Sequence, residues 1–253
     1  MAPSYRGGGA FAKRGMLSRV SDLIWPPRSL LSEEIVDRPG VIEAGLWGEL
    51  RFLSDPQCAR CGFPLPDDAG PAAVCGPCAG REPAYDTARA ALAYDDHARR
   101  LVLDLKRGGR RDGLPVFARW MAAAAGDGLA RADYVVPVPM HWTRLAVRSF
   151  NQAAWLAQAL GRVAGKPWRP GALRRVKRRR SQAGLSASER RKNVGGAIKA
   201  WGRHEGKVVV VADDVFTTGA TLEACARALR KAGAAEVHAV TLARVVRPND
   251  ISI

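Results

Sequence analysis

The stretch from Lys207 to Gly233, KVVVVADDVFTTGATLEACARALRKAG, constrains this chain more than any other. Val208 to Ala212 is an unbroken apolar run rich in β-branched residues, which suits a central parallel strand covered on both faces. Two adjacent acids, Asp213 and Asp214, stand where that strand should end. Thr217, Thr218, Gly219, Ala220 and Thr221 then form a small, hydroxyl-rich loop at the mouth of an amphipathic helix. Leu222, Cys225, Ala226 and Leu229 share one face of that helix, and Gly233 is a natural stop. The pattern points to an α/β fold.

The turn carries chemistry of its own. A helix N-terminus offers unpaired N–H groups and the positive end of a dipole, which suits a phosphate. The three threonines add hydroxyl donors, and Gly219 lets the backbone come close. Acids beside a phosphate cradle need a different partner, either sugar hydroxyls or a magnesium ion carrying several waters. Phosphate, cis-diol and metal at one strand end suggest a phosphorylated ribose. The plainer reading, a threonine N-cap after an ordinary strand, leaves two consecutive acids at a buried strand without a partner, which is costly.

The sequence VVVVADDVFTTGAT resembles the 5-phosphoribosyl-1-pyrophosphate (PRPP) motif of type I phosphoribosyltransferases. The wider chain, from about residue 23 to 247, resembles the ComF family, on VPVPMHWTRLAVRSFNQA, SQAGLSASERRKNV and the PRPP motif in that order. The resemblance implies a type I phosphoribosyltransferase-like parallel sheet flanked by helices, joined to a small N-terminal zinc ribbon. It also implies an association with competence, the handling of incoming single-stranded DNA.

Residues 1–21 are rich in Gly, Arg and Ser and read as a mobile tail; 22–82 read as the ribbon region and 84–247 as the phosphoribosyltransferase-like domain. Cys58-x-x-Cys61 and Cys75-x-x-Cys78 can place four thiolates around one tetrahedral zinc, a structural site because no coordination position stays open. A disulfide pair or a redox C-x-x-C fits two matched pairs poorly in a cytoplasmic protein. ComF-like proteins often carry an earlier quartet of cysteines. Here Ser29 and Ser32 follow Pro26-Pro27-Arg28, and the second pair would fall near Glu43 and Leu46, so that first site is expected to hold no metal. Leu46, Trp47, Leu50 and Phe52 are expected to hold the segment by apolar packing instead.

Thr87 to Tyr94 reads as a strand, Asp95 to Lys106 as a helix, Leu114 to Arg131 as an Ala-rich helix and Asp133 to Pro139 as a second buried strand. Leu173 to Lys177 and Ala197 to Trp201 read as short strands, and Glu236 to Arg244 as the last core strand. Lys106 opens an L-K-x-x-G segment that lies near the active site in the family; a helix end with basic residues complementing the dipole explains it equally. By the same resemblance the loop after Pro139 cradles pyrophosphate, with Arg144, Arg148 and Lys106 neutralising it; Asn151 reads from its residue type as the N-cap of the next helix. His141 in that loop carries no acid or base role by itself. Arg174 to Lys192 holds nine Lys or Arg and one acid, Glu189. By resemblance Gln182 to Asn193 closes over the reacting sugar, and Arg178 to Arg180 can face outward as a nucleic-acid patch. Cys225 reads as a core residue.

A balance of 40 basic to 24 acidic residues gives a net charge of +16, which favours polyanionic partners. No apolar run is long enough to span a membrane and no signal-peptide core is visible, so a cytoplasmic location is expected. Two functions follow. One is an enzyme that binds PRPP and Mg²⁺ and transfers the phosphoribosyl group to an acceptor, with Asp213 and Asp214 on the ribose hydroxyls and metal and Thr217 to Thr221 on the 5′-phosphate. The other is a non-catalytic module that binds single-stranded DNA or competence proteins through Arg174 to Lys192.

Overall fold

A computed structural model of the chain describes residues 26–32, 34–106, 111–140, 150–176 and 197–246. In chain order the elements are α1 (Ala44–Trp47), α2 (Gly76–Gly80), β1 (Thr87–Ala93), α3 (Asp96–Lys106), α4 (Leu114–Arg131), β2 (Tyr134–Pro137), α5 (Gln152–Ala164), β3 (Leu173–Arg175), β4 (Ile198–Ala200), β5 (Val208–Phe216), α6 (Ala220–Lys231) and β6 (Glu236–Arg244). The expected tail at 1–21 lies outside the described residues.

The sheet forms because its strands are apolar on both faces. β1, β6, β5 and β2 lie side by side in that order, all parallel. Alternation along β5 divides the core. Val209 and Val211 face a cluster that holds Leu222, Cys225, Ala226 and Leu229 of α6, whereas Val210 and Ala212 face one built from α3, α4 and α5. Val209 to Ala212 are fully buried; each valine removed from water contributes about 1.5–3 kcal/mol. β3 and β4 form a separate antiparallel pair, Arg174 opposite Lys199.

Two sequence expectations need correction. The central strand does not end at Ala212 but runs to Phe216, because β6 is equally long and continues the ladder, with Asp213 opposite Thr241 and Phe216 opposite Arg244. The Ala-rich helix is not continuous: Gly126 takes φ 51° and ψ −132° and breaks α4. Past the break, Gly128 packs so tightly over β6 that a Cβ there would lie 2.9 Å from the His238 ring.

The N-terminal segment packs on both sides of the sheet. Cys58, Cys61, Cys75 and Cys78 join the α6 cluster, while Leu30, Leu31 and Leu50 join the opposite one. Gly62, at φ 67°, sits where a Cβ would meet the Ala88 carbonyl oxygen at 2.5 Å, so the turn after the first cysteine pair must lack a side chain. Trp47, Phe52 and Trp120 of α4 meet edge-on or tilted at 5.2–5.6 Å, which is the apolar packing expected of this segment. Ser29 and Ser32 also form a knuckle. The Ser29 hydroxyl donates to Glu43 and accepts from the N–H groups of Leu31 and Ser32 at 3.1 and 3.3 Å. Burial pushes the Glu43 carboxyl up, but hydrogen bonds from Ser29 and Ser32 outweigh it and hold the pKa below the ordinary value.

Candidate functional site

The C-terminal edge of a parallel sheet gathers the loops that bind ligands in open α/β folds. Here that edge carries Asp213, Asp214 and the turn into α6. Asp213 turns its Oδ1 back to accept the Asp214 N–H at 2.9 Å. Enclosure of its carboxyl, and then the neighbouring Asp214 charge, raise its pKa to about 8. Asp214 pairs through Oδ2 with Lys106 Nζ at 3.1 Å. Lys106 ends α3, the helix that follows β1, so this ion pair brings the C-terminal end of that helix to the C-terminal part of β5.

Thr217 and Thr218 are exposed, and Ala220 and Thr221 start α6. Gly219 holds the N-cap position at φ 71° and no side chain caps the helix. A Cβ at Gly219 would lie 2.8 Å from Cζ of Phe216, so both conformation and space require glycine here. The result is a glycine turn with flanking hydroxyls at the N-terminus of a twelve-residue helix, beside two acids and a lysine. Such a group can hold an anion at the turn and hydroxyls or a hydrated cation at the acids. At the other end of α6, Gly233 takes φ 93° and the Ala234 N–H bonds the Leu229 carbonyl at 3.0 Å, the stop read from sequence.

Arg175 belongs by sequence to the basic belt, yet on β3 it is half-buried, and its charge acts on Asp213, lowering the carboxyl pKa against the effect of burial. Alternation in the short strand, with Arg174 exposed and Arg175 turned inward, was the signal that separates them. Burial raises the Cys225 thiol well above its ordinary range and places it in the core, as expected. Asn151 caps α5, accepting from the Ala153 N–H at 3.1 Å, and ties that helix to the end of β2 by donating to the Val138 carbonyl at 3.1 Å. Arg144, Arg148 and His141, the Gln182–Asn193 loop and Arg178 to Arg180 lie outside the described residues.

A second centre lies on the α6 face. The donor sulfurs of Cys58, Cys61, Cys75 and Cys78 all lie within 4.8 Å of one another, and all four residues are buried. Cys61 and Cys75 Sγ are 3.5 Å apart; a tetrahedral zinc with Zn–S near 2.3 Å needs about 3.8 Å. Backbone N–H groups of Cys61 and Cys75 point at Cys58 Sγ from 3.4 and 3.3 Å, the stabilisation a bound thiolate needs. Hydrogen bonds from Cys61 and Cys78 draw the Cys58 thiol far below its ordinary range. The donor set, spacing and burial fit a four-coordinate metal such as zinc. Among the described residues no helix is long and apolar enough to cross a membrane.

The phosphoribosyl transferase domain family matches residues 149–249. The DNA utilization protein YhgH of Salmonella typhimurium is 31% identical over 194 residues, covering 75% of this chain and 84% of the relative. Competence protein F of Haemophilus influenzae is 33% identical over 202 residues, covering 77% of this chain and 87% of the relative. Among solved structures, the orotate phosphoribosyltransferase of Aeropyrum pernix is similar at a TM-score of 0.33 and 22% identity, covering 60% of this chain and 66% of the other.

Proposed function

Because the chain belongs to the ComF family of competence and DNA-utilization proteins, we propose that it binds a PRPP-type phosphoribosyl ligand with Mg²⁺ and transfers the phosphoribosyl group to an acceptor with loss of pyrophosphate. One observation carries this reading: Asp213, Asp214 and the uncapped Gly219 turn share one strand end, where Lys106 arrives from the C-terminal end of α3. Thr217, Thr218, Gly219, Ala220 and Thr221 hold the 5′-phosphate through hydroxyls and helix N–H groups. Asp213 and Asp214 hold the ribose hydroxyls and, through water, the magnesium. Lys106 leaves Asp214 for the pyrophosphate, where Arg144 and Arg148 join it. The magnesium supplies charge neutralisation on the departing pyrophosphate. The chain's own part is to orient the sugar and stabilise charge as the bond breaks. Zinc on Cys58, Cys61, Cys75 and Cys78 is structural, and the protein works in the cytoplasm, where thiols stay reduced. The test is pyrophosphate release from PRPP across a panel of acceptors, with the Asp213→Asn, Asp214→Asn double variant as control. Undiminished PRPP binding in that variant contradicts the site.

A second reading is favoured by the net charge of +16 together with the relatives' names, which refer to DNA utilization and competence. In it, the same fold binds single-stranded DNA or competence proteins through Arg174 to Lys192 without turnover. Charge reversal of Arg178, Arg179 and Arg180 is expected to abolish DNA binding, measured by fluorescence anisotropy, while sparing PRPP binding. DNA affinity that survives unchanged, or that lacks a steep salt dependence, rules out the belt as the site.

A further inference from the structure

Arg244 ends β6 and is only 6% exposed, yet among the described residues it pairs with no carboxylate, and its Nε has no hydrogen-bond partner. One arm of its guanidinium donates to the Cys61 carbonyl, and Nη2 lies 3.9 Å from Cys61 Sγ. The face of the group lies 4.3 Å from the Phe216 ring and 5.2 Å from the Phe63 ring. A buried cation without a counter-charge is costly. A metal dication on four thiolates carries a net charge of about −2 and supplies that counter-charge at the position where the guanidinium points. Phe216, held by the cation from one side, is also the ring against which Gly219 is packed so closely that a Cβ would not fit. Glu223, in the first turn of α6, strengthens the join, accepting from the Ala84 N–H at 2.8 Å and from Arg81 at 3.3 Å, both in the segment that leaves the cysteine cluster.

We propose that Arg244 is the counter-ion of the metal-loaded cysteine cluster and, through Phe216, a positioning residue for the Gly219 turn, so that metal occupancy and phosphate binding are coupled. Without the metal, no carboxylate among the described residues balances the buried guanidinium; it shifts, Phe216 loses its stacking partner, and the turn loses the surface that sets its shape. The coupling to phosphate rests on reading Thr217 to Thr221 as the phosphate loop; the link from metal to turn does not.

The test compares the zinc-loaded full chain with Arg244→Met, Arg244→Lys and Phe216→Leu variants. Zinc loss to excess chelator is followed with a chromogenic zinc indicator, and hydrogen exchange is followed in peptides spanning 214–224. Arg244→Met is expected to lose zinc faster by about 5- to 150-fold, the usual span of coupling between sites, and to raise exchange in the turn at full zinc occupancy. Arg244→Lys, which keeps the charge but not the flat group over Phe216, retains zinc better than Arg244→Met yet also loosens the turn. Phe216→Leu loosens the turn at a wild-type rate of zinc loss. If Arg244→Met does not fold, the other two variants decide. Faster zinc loss with unchanged exchange in the turn overturns the coupling, and wild-type zinc loss in Arg244→Met overturns the counter-ion. At equilibrium with a competing chelator, PRPP with Mg²⁺ should tighten zinc binding to the wild-type protein by the factor by which zinc tightens PRPP binding. PRPP that binds without tightening zinc also overturns the coupling. Should PRPP fail to bind the zinc-loaded wild-type protein at all, the phosphate site is wrong, while the exchange and zinc-loss results still decide Arg244.

Discussion

Replacing Asp213 with Asn should change how stability depends on pH, with a sign that follows from the site. In the unfolded chain this carboxyl titrates near its ordinary value of 3.8, and in the folded protein near about 8. Between those values the folded state binds the extra proton, so this group's contribution favours folding in acid. It is fully present below about pH 4 and is lost progressively as pH rises toward 8. Inside that window each pH unit costs about 1.4 kcal/mol. From pH 5 to pH 7 the wild-type protein should therefore lose about 2–3 kcal/mol that Asp213→Asn does not lose, or about 5–10 °C in melting temperature at this chain length. Asn keeps the acceptor for the Asp214 N–H and removes only the titration. The assay is urea unfolding of both proteins at pH 5, 6, 7 and 8, compared as a difference so that titrating groups away from Asp213 cancel. Ligand binding gives a second readout: a carboxylate that must hold ribose hydroxyls and hydrated magnesium gives up its proton on binding, so the enthalpy should vary with the ionisation heat of the buffer at pH 7. Unfolding profiles that stay parallel across this range refute a proton held on Asp213.

Other perturbations test other parts of the account. Gly219→Ala forces φ 71° on a residue with a Cβ 2.8 Å from the Phe216 ring; the expected cost is about 1–3 kcal/mol in urea unfolding, with loss of PRPP binding in calorimetry. Ser29→Ala removes the donor to Glu43 and the acceptor for two N–H groups in a buried knuckle. It should cost about 1–3 kcal/mol and raise the Glu43 pKa, readable by NMR titration, whereas an unchanged carboxyl means the serines do not hold that segment.

Local patterns in the sequence revealed what local patterns control. The apolar run of β5, the helical face of α6, the Gly233 stop, the Asn151 cap and the two C-x-x-C pairs all depend on neighbours a few residues apart, and the structure follows them. What escaped depends on distant partners. β5 runs past its acids because β6 supplies a ladder that far along, and the apolar run of β5 alone could not say so. Lys106 meets Asp214 across 108 positions of chain, and Arg244 meets Cys61 across 183. In sequence the first is a helix end and the second a strand end. The family resemblance brings Lys106 near the site, but only the fold pairs it with Asp214, and only the fold makes Arg244 a neighbour of the cysteine cluster. Ser29 and Ser32 are visible in the sequence, but not the hydrogen bond that Glu43 takes up from Ser29.

The most direct test of the central claim is calorimetric titration of the zinc-loaded protein with PRPP, with and without Mg²⁺. Magnesium-dependent binding that Asp213→Asn removes is the expected result. Absence of binding under both conditions, or binding that Asp213→Asn leaves intact, contradicts it.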